Sequence, residues 1–298
     1  MPDRERSLVR SILLDAWGDF RRRPLMFLLL ALAAVPLIFL NQFCIPGMVM
    51  IDGMTRNISM ALWIVGYAVC FSLIFIFWCM AVWVYDDRAR GGKGGSYGDA
   101  LRGVSGLGGS PVWLGMVVGL VNIFVMQFAS IAVGLLLSYV ASGQGSGASQ
   151  ELLVYINVYL GYIVTDLILV LVVMAPQMMV FEGGRKVDEV IRASYQVVKP
   201  RYRDAVLLLI VPELVVRTFF IASLYALRLV PVMVAVFVFL LTLALVEGSR
   251  LAFVAAAFNR FYYHVLEEER KKKAKSGKKS GGGSGASKQP VRRRPPKK

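Results

Sequence analysis

Apolar residues run along this chain in six continuous blocks, near residues 24–40, 58–84, 111–141, 152–181, 204–229 and 230–258, separated by polar segments. Most blocks reach or exceed the ~20 residues that a helix needs to cross about 30 Å of hydrocarbon. They are runs of Leu, Val, Ile, Phe and Ala rather than the short alternating segments of an outer-membrane barrel. The pattern therefore predicts an all-α, polytopic membrane helical bundle with six transmembrane helices. About twenty amphipathic residues precede the first block and no A-x-A-like site closes it, so it is expected to stay as a helix rather than leave as a signal peptide.

Helical periodicity also marks the polar segments. Leu8, Ile12, Trp17 and Phe20 fall toward one face of residues 7–20, with Arg6, Arg10, Asp15 and Asp19 largely elsewhere, as in a helix lying along a membrane surface. Val187, Val190, Ile191, Tyr195 and Val198 repeat the arrangement, and Asp99–Gly103 is a shorter version. Leu8-Val9-Arg10-Ser11, Ala100-Leu101-Arg102-Gly103 and Val190-Ile191-Arg192-Ala193 then occupy matching positions ahead of spans one, three and five. They read either as one module used three times or as the ordinary composition of inner-leaflet helices. The organisation expected is a cytoplasmic amphipathic leader (1–23), a six-helix transmembrane domain (24–264) and a basic, mostly disordered cytoplasmic tail (265–298).

Charge orients this bundle. Arg4, Arg6, Arg10, Arg21, Arg22 and Arg23 precede span one, whereas residues 41–57 contain only Arg56. Arg88, Arg90, Lys93 and Arg102 follow span two, and residues 142–150 hold no Lys or Arg. Arg185, Lys186, Arg192, Lys199, Arg201 and Arg203 follow span four, and the turn before the last block has only Arg228. By the positive-inside rule both termini of this multi-pass membrane protein are cytoplasmic. The formal charge of +15 belongs to the tail: thirteen basic residues and no acid lie from Arg270 onward, leaving 21 basic against 19 acidic residues before it. Arg21, Arg22, Arg23, Lys271, Lys272 and Lys273 are assigned as contacts to anionic lipid. No aromatic residue interleaves the tail for base stacking, so specific nucleic-acid binding is not expected.

Phe258-Asn259-Arg260-Phe261-Tyr262-Tyr263-His264 reads as an aromatic and basic belt where the last helix leaves the bilayer, and His264 is the only histidine. A Ser-His-Asp set, an H-E-x-x-H helix and a multi-histidine metal site are thereby excluded, and no phosphate-binding glycine loop occurs. No catalytic residue, metal or cofactor is predicted. Cys70 and Cys79 lie within span two and read as small apolar fillers, and Cys44 completes no disulfide framework. The chemistry that remains is a set of ionisable residues at membrane depth: Asp166 in span four, Glu213 and Arg217 in span five, Glu247 and Arg250 in span six. Each costs about 2.5–3.5 kcal/mol at a helix centre on insertion scales. Glu213 and Arg217, one turn apart, are expected to pair, Asp166 to reach Arg217 across the bundle, and Glu247 to pair with Arg250. One reading is a set of ion pairs that locates helices; the other is a polar site between spans four, five and six, with Pro212 loosening the backbone beside it. Gly115-x-x-x-Gly119 fits close helix packing, within the bundle or in a homo-oligomer, and Asn122 and Gln127 fit interhelical hydrogen bonding.

Three further segments resemble a known group. Pro176–Gly184, then Val190–Lys199, and Ala256–Tyr263 form an acidic-glycine turn, an interfacial Ala/Ile-x-Arg-x-Ser helix and a tyrosine-rich exit. This resembles poorly characterised prokaryotic six-helix proteins that include the membrane domain of glycerophosphodiester phosphodiesterase, over about a quarter of the chain. The resemblance implies a bacterial inner membrane and carries over no catalytic residue, because the phosphodiesterase chemistry resides in a separate soluble domain. The expectation is a non-enzymatic accessory or scaffold partnered by lipid and by another membrane protein or its own copy; the alternative is a small transporter or channel.

Overall fold

A computed structural model describes residues 2–40, 53–86, 96–144, 160–161, 163–183, 185–227 and 232–280. The Cys44–Gly47 loop, the Gly91–Gly95 run, residues 145–150, Arg228 and the chain past Ser280 lie outside the described residues, as do the side chains of Arg217 and Lys273. Every regular element described is helical. Four helices are long and apolar enough to cross a membrane, within Ser59–Val84, Ser110–Tyr139, Ile163–Glu182 and Val238–Lys272, and a fifth crossing arises if the bent pair at the N-terminus counts as one.

That pair is α1 (Pro2–Arg22) and α2 (Leu25–Phe39), which meet at 89°. The bend falls at Arg23-Pro24, where proline supplies no amide donor to continue α1. α1 buries Val9, Ile12, Ala16 and Asp19 and leaves Leu14 and Trp17 exposed. This corrects the expected facing: Asp19 lies on the buried stripe, three or four residues from its neighbours, and Trp17 does not.

α3 (Gly53–Val84) carries a ladder of rings, Trp63, Tyr67, Phe71, Phe75 and Trp78, whose successive centroids lie 5.4, 5.0, 6.5 and 5.7 Å apart. It packs against α5 (Ser110–Gln144). Gly115 sits on the Ser72 backbone and Gly119 on the Phe71 side chain, so a Cβ at either would collide. The small-residue spacing therefore serves packing inside the bundle. Asn122 Nδ2 donates to the Tyr67 hydroxyl at 2.6 Å, the interhelical role expected of it, whereas Gln127 is exposed.

Between them, α4 (Tyr97–Ser105) starts at Ser96, whose Oγ accepts from the Asp99 amide at 3.1 Å. Farther along, α7 (Val187–Val198) starts with the Lys186 amide donating to Glu189 at 3.3 Å. With α1, these are the three segments of the suggested repeat. Arg10, Arg102 and Arg192 are exposed in all three, but the small position is not equivalent: Gly103 lies against the Trp83 ring, while Ser11 is exposed.

Span four is broken. Helical residues 163–169 tighten into a 3₁₀ turn at Val170–Val172, and α6 (Ala175–Glu182) begins after it. Pro176 explains the position, since its ring would strike the carbonyl of Val172 in a continuous helix. Neighbouring elements hydrogen-bond to the backbone around the break: Ser194 of α7 donates to the Leu171 carbonyl at 3.0 Å, and Tyr202 donates to the Leu167 carbonyl at 2.6 Å.

α8 (Tyr202–Leu227) is 26 residues long and continues through Pro212. α9 (Val232–Ser280) is the longest helix. The chain divides into two units, Met1–Tyr262 and Tyr263–Lys298. Within the second, helix persists to Ser280, into the tail expected to be mostly disordered, because adding residues to an existing helix needs no new nucleus. His264 Nε2 lies 3.3 Å from Glu268 Oε1 in this unit.

Candidate functional site

The charges expected at membrane depth come from three segments, and the structure organises them around Arg250 of α9. Its Nε donates to Glu247 Oε2 at 2.8 Å, the expected pair one turn apart. The same Nε lies 3.0 Å from Glu213 Oε2 of α8. The hydrogen-bond geometry favours Glu247, and Glu213 Oε2 meets this nitrogen as an ion pair. Asp166, from span four, adds its negative charge to the field at Arg250.

The expected partnership of Glu213 with Arg217 thus has a neighbour that sequence reasoning did not assign: Arg250, 37 positions on, meets Glu213 across helices. The postulated Asp166–Arg217 contact involves a side chain outside the described residues. Glu213 is nearly fully buried, and Pro212 beside it is buried too. At Pro212 the helix loses one amide donor, leaving the Leu208 carbonyl without its usual partner.

Packing brings α9 close enough for these contacts. Gly248, adjacent to Glu247, lies against the Phe27 carbonyl and Ala31 of α2, and any Cβ there would strike that backbone. A lone glycine in an apolar run was the signal, and no spacing motif flagged it.

A second charged contact was also missed. Arg260 Nε and Nη2 each donate to one oxygen of Asp19, both at 2.7 Å, in a two-point pairing across 241 positions of sequence. Asp19 is 5% exposed. Around Arg260 the residues read as a belt at the membrane exit are core instead. Phe258 and Phe261 are fully buried and meet edge to face, and Asn259 Nδ2 donates to the Val82 carbonyl at 3.0 Å. Tyr262 stacks on Phe181 at 5.0 Å and donates to Glu182 at 3.3 Å. The helix is apolar on several faces here because other helices surround it, not because rings anchor it at an interface.

Gln177, just after Pro176, is fully buried, and its amide makes no hydrogen bond to described protein atoms. The remaining assigned residues are peripheral: Arg21, Arg22, Lys271 and Lys272 are exposed and Arg23 is half-buried. Among the described residues no group of three or more His, Cys, Asp or Glu side chains is arranged to hold a metal ion. Comparison with protein-family models and with curated proteins finds no match for the chain.

Proposed function

We propose that the chain is a non-enzymatic integral protein of the cytoplasmic membrane, an accessory or scaffold with six spans, inner-leaflet helices and both termini in the cytoplasm. The observation that carries the scaffold reading is Arg250 between Glu213 and Glu247, on two different helices. A guanidinium so placed fixes the approach of α8 to α9, and its own desolvation is offset by the carboxylates it holds. The orientation rests on the alternation of basic and neutral loops. The near-perpendicular turn from α1 into α2 suits a surface helix that leads into a span. The resemblance to prokaryotic six-helix membrane proteins agrees with this setting. The basic tail serves as a tether to anionic lipid.

A second reading, a small transporter or channel, is favoured by one count. Three carboxylates, Asp166, Glu213 and Glu247, act on one guanidinium among the described side chains. An acid-rich group at this depth suits a proton or cation path. Proteoliposomes containing the full chain separate the two readings. A scaffold gives no proton or monovalent-cation flux above empty vesicles. Flux that Asp166→Asn abolishes assigns transport instead.

A further inference from the structure

The bend between α1 and α2 encloses a cavity of about 300 Å³ lined by Asp19, Arg22, Arg23, Leu25, Tyr85 and Tyr97. Four elements contribute: the end of α1, the start of α2, the residue that follows α3 and the first residue of α4. Its size is that of a small ligand or a lipid headgroup, well short of a whole lipid.

Two independent features give the cavity its chemistry. The first is Tyr85, 4% exposed, whose buried hydroxyl makes no hydrogen bond to the described residues. Burial pushes this phenol upward, with Tyr97 and Asp19 adding to the rise and Arg23 opposing it, so it remains a neutral donor. Tyr97 is pushed the same way by burial, against Arg23. An unmade hydrogen bond at a buried hydroxyl is costly, and a ligand oxygen would relieve it.

The second feature is the sign of the charge. Asp19 is occupied by Arg260 through both oxygens. Among the described residues, Arg22, Arg23 and Arg260 set against Asp19 and the buried Asp86, next in sequence to Tyr85, leave an excess of one positive charge. The N-terminus of α2, which opens at Leu25, adds the positive end of its dipole. Adjacent arginines with a phenolic donor suit an anion having several acceptor oxygens, as phosphate has.

We propose that this cavity binds a phosphate-bearing anion, with Arg22 and Arg23 as charge partners and the Tyr85 hydroxyl as donor. At the inner leaflet the source is the headgroup of an anionic phospholipid, its glycerol leading out past Leu25. The lipid source rests on the orientation proposed above, whereas the phosphate chemistry does not.

The full chain in mild detergent, probed with phosphatidylglycerol by native mass spectrometry and with radiolabelled inorganic phosphate by equilibrium dialysis, tests this. Tyr85→Phe keeps the ring and removes only the donor; Arg23→Gln removes a charge. Arg23→Gln is expected to weaken retention about tenfold and Tyr85→Phe about threefold or more, with Arg192→Gln, exposed on α7 and outside both the cavity and the basic tail, unchanged. Variant-sensitive retention of phosphatidylglycerol assigns the headgroup. Variant-sensitive binding of inorganic phosphate alone retains the phosphate chemistry and overturns the lipid source. Equal binding of both probes by wild type and Tyr85→Phe, or no binding of either, overturns the proposal, and that variant decides alone if Arg23→Gln fails to fold. Binding in detergent does not depend on orientation. Labelling of Ser96→Cys from the outside of intact cells would refute the topology without touching the phosphate site.

Discussion

Arg260 and Arg250 stand on the same helix, yet one answers a single carboxylate while the other stands among three. Arg260 meets Asp19 with two matched hydrogen bonds, and charge and geometry are both balanced. Arg250 gives its Nε–H to Glu247, holds Glu213 by proximity and feels Asp166. A balanced pair acts as a clasp, here between the first and last helices. Among the described side chains the Arg250 group holds more acid than base, so its grip on the helices depends more on one guanidinium.

That contrast orders the expected effects of substitution, all read as unfolding of the detergent-solubilised full chain. Arg250→Met should be the most harmful, at about 3–5 kcal/mol, because it takes a guanidinium away from the buried Glu213 and the partly buried Glu247. Asp19→Asn should cost less, about 2–3 kcal/mol, since Arg260 is about a fifth exposed and water compensates part of its lost partner. If Asp19→Asn proves the worse of the two, the distinction between clasp and acid-rich group fails. Gly248→Val tests whether packing sets the Arg250 geometry: it should cost about 1–3 kcal/mol by pushing α9 off α2. No loss there would mean that the helices have room the contact does not show. Ser194→Ala, remote from both networks, should cost only about 0.6 kcal/mol, the usual worth of one hydrogen bond between membrane helices.

Local features were the ones legible in the sequence. Apolar runs gave helices, and Gly115 with Gly119 marked the face of α5 that meets α3. The pair Glu247–Arg250 followed from helical spacing alone. Features that depend on which helices become neighbours were not legible. Asp19 looked like one more polar residue on an amphipathic helix, because its partner lies 241 positions away and a charge turned inward carries no periodic mark. The same ignorance of neighbours made Phe258–Tyr262 look like an interfacial belt. The break in span four lay between: Pro176 announced it, but the surrounding Leu, Val and Met run read as one continuous block.

The central claim, that the membrane-depth charges hold helices together, is tested most directly by a double-mutant cycle on Glu213→Gln and Arg250→Gln, measured by unfolding of the full chain. A structural pairing predicts that Glu213→Gln partly rescues Arg250→Gln, with a coupling of about 1–3 kcal/mol. Additive losses, with no coupling between the two positions, would contradict it.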